Sequence, residues 1–340
     1  MGFPALRHPI VLAPLAGGPS TPALAAAVTN AGGLGFVAGG YLSAAALDAQ
    51  IRETRALTEG AIGVNLFRLR AGPVDEAALF EYAAELEPEA RRRGVELGDA
   101  VFEDDDWDAK LEVVLDHGVE VVSTTFGCPP EEAVRRLKDA GISVWMTVGS
   151  VTEAQVAQAA GADAIVLQGA EGGGHRASWD DADDTDVPTL ELLRAAAAEI
   201  EVPLVATGGI ADGAGIAAAL DAGARAAQLG TAFLLCPEAG THEAHRRALR
   251  AGGSTAVTRA FTGRRARGIV NEFMRRHVDA PSAYPQVHHL TAPLRAAARA
   301  AGDPDGFNLW AGVRFERSRD EPAGALVEQL AAQVWHPGHQ

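Results

Sequence analysis

PLVATGGIADGAGIAAALDAGARAAQLGTAFL, residues 203–234, contains two short apolar runs separated by one helix-length segment. Each run ends in glycine, at Gly208-Gly209 and at Gly230, and Asp212 stands where a helix N-cap is expected. The run–turn–helix–run pattern is a β-α-β unit. Its runs are continuous rather than alternating, which suits parallel strands buried on both faces. Six further runs extend the pattern towards the N-terminus, at 10–15, 34–38, 62–67, 119–126, 144–148 and 164–168. Helical segments lie between them: Ser20-Thr21-Pro22 caps and starts one, and "AGG", "AGI", "AGA" and "AGA" close four, at residues 31, 140, 160 and 222. Eight units in series read as an α/β protein with a (β/α)8 TIM barrel. The alternative is an open doubly wound sheet, which carries its glycine fingerprint after the first strand. Here the richest glycine turns follow strands six and seven.

The barrel accounts for residues 1–235, and a smaller, mainly helical region, 236–340, is expected over its mouth. A last helix at 323–334 should pack back on the barrel. The long connection after the third run contains a charged helix, 75–93, and the acidic patch Glu103-Asp104-Asp105-Asp106. That patch reads as a solvated helix start rather than a cation site. A second acidic stretch, 180–186, reads as a mobile loop.

The chain carries 29 Lys+Arg against 45 Asp+Glu, a net charge of −16. Such a surplus repels phosphate backbones and anionic lipid, so nucleic acid and membrane are excluded as expected partners. Two cysteines, Cys128 and Cys236, cannot form a disulfide framework, and no leader or long apolar span is evident, so a cytoplasmic location is expected. No metal set is expected: His242 and His245 are three apart, but no cysteines or carboxylates complete a site.

The chemistry gathers at strand ends. Barrel enzymes hold phosphate after strands seven and eight. There Gly208, Gly209, Gly230 and Thr231 offer bare backbone, a helix N-terminus and a hydroxyl. Strand six ends in Gln168 and runs through Glu171-Gly172-Gly173-Gly174, read as a flexible turn, to His175. That imidazole is placed at the catalytic end, where it can accept or donate a proton. Strand one brings Pro14 and strand three brings Asn65. Amides such as Asn65 and Gln168 both donate and accept, as an imide-bearing heterocycle requires. The outline is that of a site for flavin mononucleotide (FMN).

"APLAGGPSTPALAAAVTNAGGLGFVAGGY" (13–41), "GVNLF" (63–67), "QGAEGGGHR" (168–176), "GGIADGAGIAAAL" (208–220) and "QLGTAFL" (228–234) together resemble the nitronate monooxygenases, formerly called 2-nitropropane dioxygenases. The resemblance continues in "FTGRRARGIVNEF" and "YPQVHHLTAPLRAAA". It implies an FMN-dependent barrel that oxidises alkyl nitronates such as propionate 3-nitronate with O2 to a carbonyl compound and nitrite. By motif match it implies His175 as the active-site histidine. It places Asn65, Gln168, Gly173, Gly209, Gln228, Gly230 and Thr231 where the family holds FMN. Two departures, Gly172 in a turn that often reads EAGGHRG and Leu15 in place of a methionine, remove no chemical group. Tyr284 and Arg264 are weaker candidates from the second region. The competing reading is an NAD(P)H-dependent flavin reductase of the same barrel type, an enoyl-carrier-protein or quinone reductase. The expected partners are a small nitronate and O2, with the protein a monomer or homodimer.

Overall fold

The computed structural model describes residues 2–182 and 186–335. His336 and His339, and the middle of the 180–186 stretch, lie outside the described residues. The strands are β1 (Ile10–Leu12), β2 (Gly35–Ala38), β3 (Ile62–Phe67), β4 (Val121–Thr125), β5 (Ser143–Val148), β6 (Ala164–Gln168), β7 (Gly174–His175), β8 (Leu204–Thr207), β9 (Ala226–Leu229), β10 (Thr255–Thr258) and β11 (Ala266–Ile269). All eight apolar runs are strands, and they form one parallel sheet in the order β1-β9-β8-β6-β5-β4-β3-β2. The remaining seam is nearly closed: a parallel bridge joins Val11 to Leu34, and the Leu12 amide donates to the Leu34 carbonyl at 2.9 Å. This is the TIM barrel architecture, and the open sheet is set aside.

The strands are largely apolar because each has two buried faces. Ile10, Leu12, Met146, Val148, Ile165 and Leu167 pack in the layer shared with the helices. Val11, Trp145, Ala164, Val166 and Val205, at the alternate positions, form a second, interior cluster. Parallel register sets Gln168 beside Thr207 and Thr207 beside Gln228, so polar side chains collect at one end of the barrel.

Helix starts follow the sequence signals. Thr21 caps Pro22–Asn30, Asp75 caps Glu76–Arg93 and Asp212 caps Gly213–Asp221. The helix Glu76–Arg93 packs in a separate core, with Leu79, Tyr82 and Leu86 against Phe261, Phe273, Val287 and Leu294. That core therefore joins the connection after β3 to residues far beyond 235. The last helix, Ala323–Trp335, shares the barrel's core through Leu326, Val327 and Leu330.

Residues beyond 235 are mainly helical, and they also contribute β10 and β11, which pair antiparallel, with β11 pairing in addition with β7. Two expectations need correction. The acidic patch is not simply solvated, because Asp105 makes an ion pair of 2.7 Å with Lys110, which is 1% exposed. At its described ends the 180–186 stretch is anchored: Asp181 binds Arg259, and Asp186 binds Arg176 and Arg265. Among the described residues no helix is long and apolar enough to cross a membrane, and no cluster of His, Cys, Asp and Glu could hold a metal ion.

Candidate active site

A cavity of about 370 Å³ opens at the C-terminal ends of the barrel strands. Pro14, Asn65, Gln168, Gly173, His175, Gly208, Gly209, Gln228, Gly230 and Thr231 all line it. Residues chosen from five separate stretches of sequence thus converge on one space.

The turns after β8 and β9 supply the bare backbone. Gly208 and Gly209 have φ of +112° and +68°, a region that favours glycine. A Cβ at Gly209 would lie 2.6 Å from the Glu171 Cβ. Behind these turns the helix Gly213–Asp221 begins, but the Asp212 carboxylate already accepts from the Gly215 amide. The cradle therefore rests on the glycine turns more than on the helix end. Thr231 Oγ1 accepts from the Gly312 amide at 3.0 Å, which leaves its hydroxyl proton to donate. Arg314, also on the wall, lies 3.6 Å from Asp212.

The amides divide by task. Asn65 is 2% exposed and donates to Ser123 Oγ and Thr125 Oγ1, so its oxygen stays free to accept. Gln168 braces the glycine turn: its Nε2 donates to the His175 carbonyl and its Oε1 accepts from Ala177. One Nε2 proton remains. Among the described residues the Gln228 side chain has no protein partner.

His175 is not on a loose turn. Gly174–His175 is a short strand paired with Ala266–Arg267 of β11, and a Cβ on Gly173 would meet the Gly312 amide at 2.4 Å. The imidazole Nε2 lies 2.9 Å from Thr262 Oγ1. The rings of Phe126, Trp310 and Tyr284 surround it at 5.5–5.7 Å between centroids. Burial pushes its pKa down to about 3, and the Arg264 charge adds to the effect, so the ring is neutral at physiological pH. The Thr262 hydroxyl can rotate. If it donates to the Arg264 carbonyl, it accepts the Nε2 proton and leaves Nδ1 as a base. If it donates to Nε2, Nδ1 carries the proton and becomes a donor.

Arg264 is 6% exposed, sits 4.3 Å from the Phe126 ring centre and donates to the Ser178 carbonyl. Tyr284 donates to Tyr41 Oη at 3.1 Å, and Tyr41 stacks on His288. Neither Arg264 nor Tyr284 lines the cavity itself; both stand behind the residues that do.

Sequence reading missed several wall residues: Tyr41, Phe126, His245, Arg299, Asn308 and Trp310. Tyr41 and Phe126 have φ of +66° and +75°, costly for bulky side chains and frequent at functional sites. Asp105 holds Tyr41 in place by accepting from its amide at 2.9 Å. No local motif announces such a clamp.

The fold and site define a TIM barrel enzyme with an enclosed polar–aromatic cavity at the catalytic face. The family model for nitronate monooxygenase matches residues 4–333, and the chain belongs to that family of flavin-dependent oxidoreductases. A nitronate monooxygenase of Paraburkholderia phytofirmans is 42% identical, with 97% of this chain and 93% of that protein covered. One of Pseudomonas aeruginosa is 41% identical, with 97% of each covered. Among solved structures, nitroalkane oxidase from Streptomyces ansochromogenes matches with a TM-score of 0.95 at 47% identity, covering 98% of this chain and 97% of that one. FabK from Thermotoga maritima matches with a TM-score of 0.76 at 28% identity, covering 98% and 94%.

Proposed function

We propose that the protein is an FMN-dependent nitronate monooxygenase that oxidises alkyl nitronates, propionate 3-nitronate among them, with O2 to a carbonyl compound and nitrite. The observation that carries the reading is the convergence of a neutral, ring-enclosed His175 with glycine turns and with amides that keep an unused donor or acceptor, on one cavity. The donor set fits FMN. Gly208, Gly209, Gly230 and Thr231 would hold its phosphate, while Asn65, Gln168 and Gln228 would meet the donors and acceptors of its heterocycle. Gly173 and Pro14 complete the floor. FMN, when bound, supplies the electron acceptor.

The protein's own part is to hold the nitronate and exclude water. A neutral imidazole with its proton on Nδ1 donates to a nitro oxygen without adding a fixed charge. Thr262 selects that tautomer by donating to Nε2. The opposite setting of the Thr262 hydroxyl gives a base able to take an α-proton from a neutral nitroalkane. Phe67, Phe126 and Trp310 wall the site with apolar surface and strengthen each polar contact inside.

The test is aerobic turnover by the purified protein. Flavin absorption bands and nitrite release with oxygen uptake on propionate 3-nitronate are expected. A colourless protein, or a yellow one that releases no nitrite, overturns the proposal.

A further inference from the structure

The cavity has a second polar end that the proposed chemistry leaves unused. His245, on the helix Glu243–Ala251, is 5% exposed and lines the cavity, yet its Nε2 has no partner within the protein. The backbone of Trp310 hydrogen-bonds the ring from its other side. Beside it, Arg299 lies 5.2 Å from the Phe307 ring centre and donates to Asn308 Oδ1 at 3.1 Å. Among the described residues no carboxylate pairs with Arg299. A buried acceptor without a partner is costly, and a desolvated guanidinium facing a cavity without an acid favours an anion. Trp310 connects the two ends: its ring is 5.5 Å from that of His175 and its backbone holds His245. The arrangement suits a small substrate with its reacting group at His175 and an oxyanion group at Arg299.

We propose that His245, Arg299 and Asn308 form a carboxylate subsite, in which Arg299 supplies the fixed charge and His245 takes up a proton on Nε2 to become the second donor. The proposal rests on the nitronate reading for the rest of the substrate, and it makes carboxylate-bearing nitronates the preferred class. Burial, and then the Arg299 charge, hold the imidazole neutral, with a pKa of about 4. The other groups acting on it are His242 and Arg246 of its own segment, both of which disfavour its proton. A carboxylate within hydrogen-bond reach reverses that balance, so binding and protonation are linked. With a net charge of −16 the protein does not attract anions at long range, so the charge that selects them must be local. An oxyanion could also come from the flavin phosphate, and the test separates the two sources.

The experiment uses the FMN-loaded protein and succinate, an unreactive dicarboxylate of matching length, in calorimetry with two buffers of different ionisation enthalpy. Wild type should bind succinate with proton uptake, and His245→Gln should bind more weakly with none. In kinetics, Arg299→Gln should raise KM for propionate 3-nitronate on the order of 10- to 100-fold relative to its effect on propane 2-nitronate, with FMN content unchanged. Wild type that binds no succinate, binding without proton uptake, or an equal KM change for both nitronates overturns the subsite. Loss of FMN from Arg299→Gln, with the melting profile retained, assigns the site to the cofactor phosphate and also overturns it. If neither nitronate is oxidised yet succinate binding keeps its dependence on His245 and Arg299, the functional reading falls and the subsite stands.

Discussion

The cavity has one wall made by the strand ends and glycine turns of the barrel and a facing wall made by residues 242–314 together with Tyr41, Phe126 and the Gly174–His175 strand, and the two are built differently. The barrel wall comes from strand ends and the turns directly after them, so Gly208, Gly209, Gly230 and Asn65 are placed by chain segments a few residues long. The facing wall depends on contacts between distant segments: β7 on β11, Asp105 on Tyr41, Thr262 on His175. The first wall offers backbone and amides to a cofactor. The second sets the charge, the hydrogen-bond state and the enclosure of the reacting group. Binding and chemistry should therefore fail separately when one wall is altered.

The sharpest separation comes from His175→Ala. It should lower turnover about 10²- to 10⁴-fold while FMN content stays at the wild-type level, as measured by released flavin per protein. A large loss of FMN would show that the two walls are not independent. Next in size is Asp105→Ala, which strands the buried Lys110 ammonium and frees the Tyr41 amide. Chemical denaturation should show a loss of about 3–5 kcal/mol. An unchanged midpoint would remove the clamp from the account.

The converse alteration is Gly209→Val. It forces a β-branched residue to a φ of +68° with its Cβ against Glu171, at a strain of about 1–3 kcal/mol. FMN content should fall roughly tenfold at a fixed wash, while the far-UV spectrum is retained. Full occupancy would contradict the phosphate cradle.

The smallest effect is acid sensitivity. His175 and His245 titrate at about 3 and about 4 in the folded protein, below the ordinary 6.5. The unfolded chain therefore binds more protons on acidification, and stability falls as pH drops from about 6.5 towards 4. The melting temperature should decline over that interval, and less steeply in His245→Gln. Equal slopes for the two proteins would show that His245 is not held neutral.

What the sequence reveals follows the same division. The eight apolar runs are legible because a strand buried on both faces is apolar until it reaches the barrel mouth, as 164–167 shows before Gln168. The glycine turns are legible because left-handed backbone after a strand has a restricted residue choice. His175 stands out by following three glycines, but the strand pairing that holds it does not: Ala266 is 91 positions away (266 − 175). His245 and Arg299 sit on ordinary amphipathic helices, and nothing local separates them from surface residues. Asp105 looked solvated for the same reason, since its partner Lys110 sits on a helix face that only packing buries.

The proposed function requires that electrons enter FMN, when bound, from a nitronate held at His175. Anaerobic mixing of the purified, FMN-loaded protein with propionate 3-nitronate or with NAD(P)H tests it most directly. Rapid bleaching of the visible flavin bands by the nitronate, with little change from NAD(P)H, is expected. Rapid bleaching by NAD(P)H with none by the nitronate would contradict it and identify a flavin reductase on the same barrel.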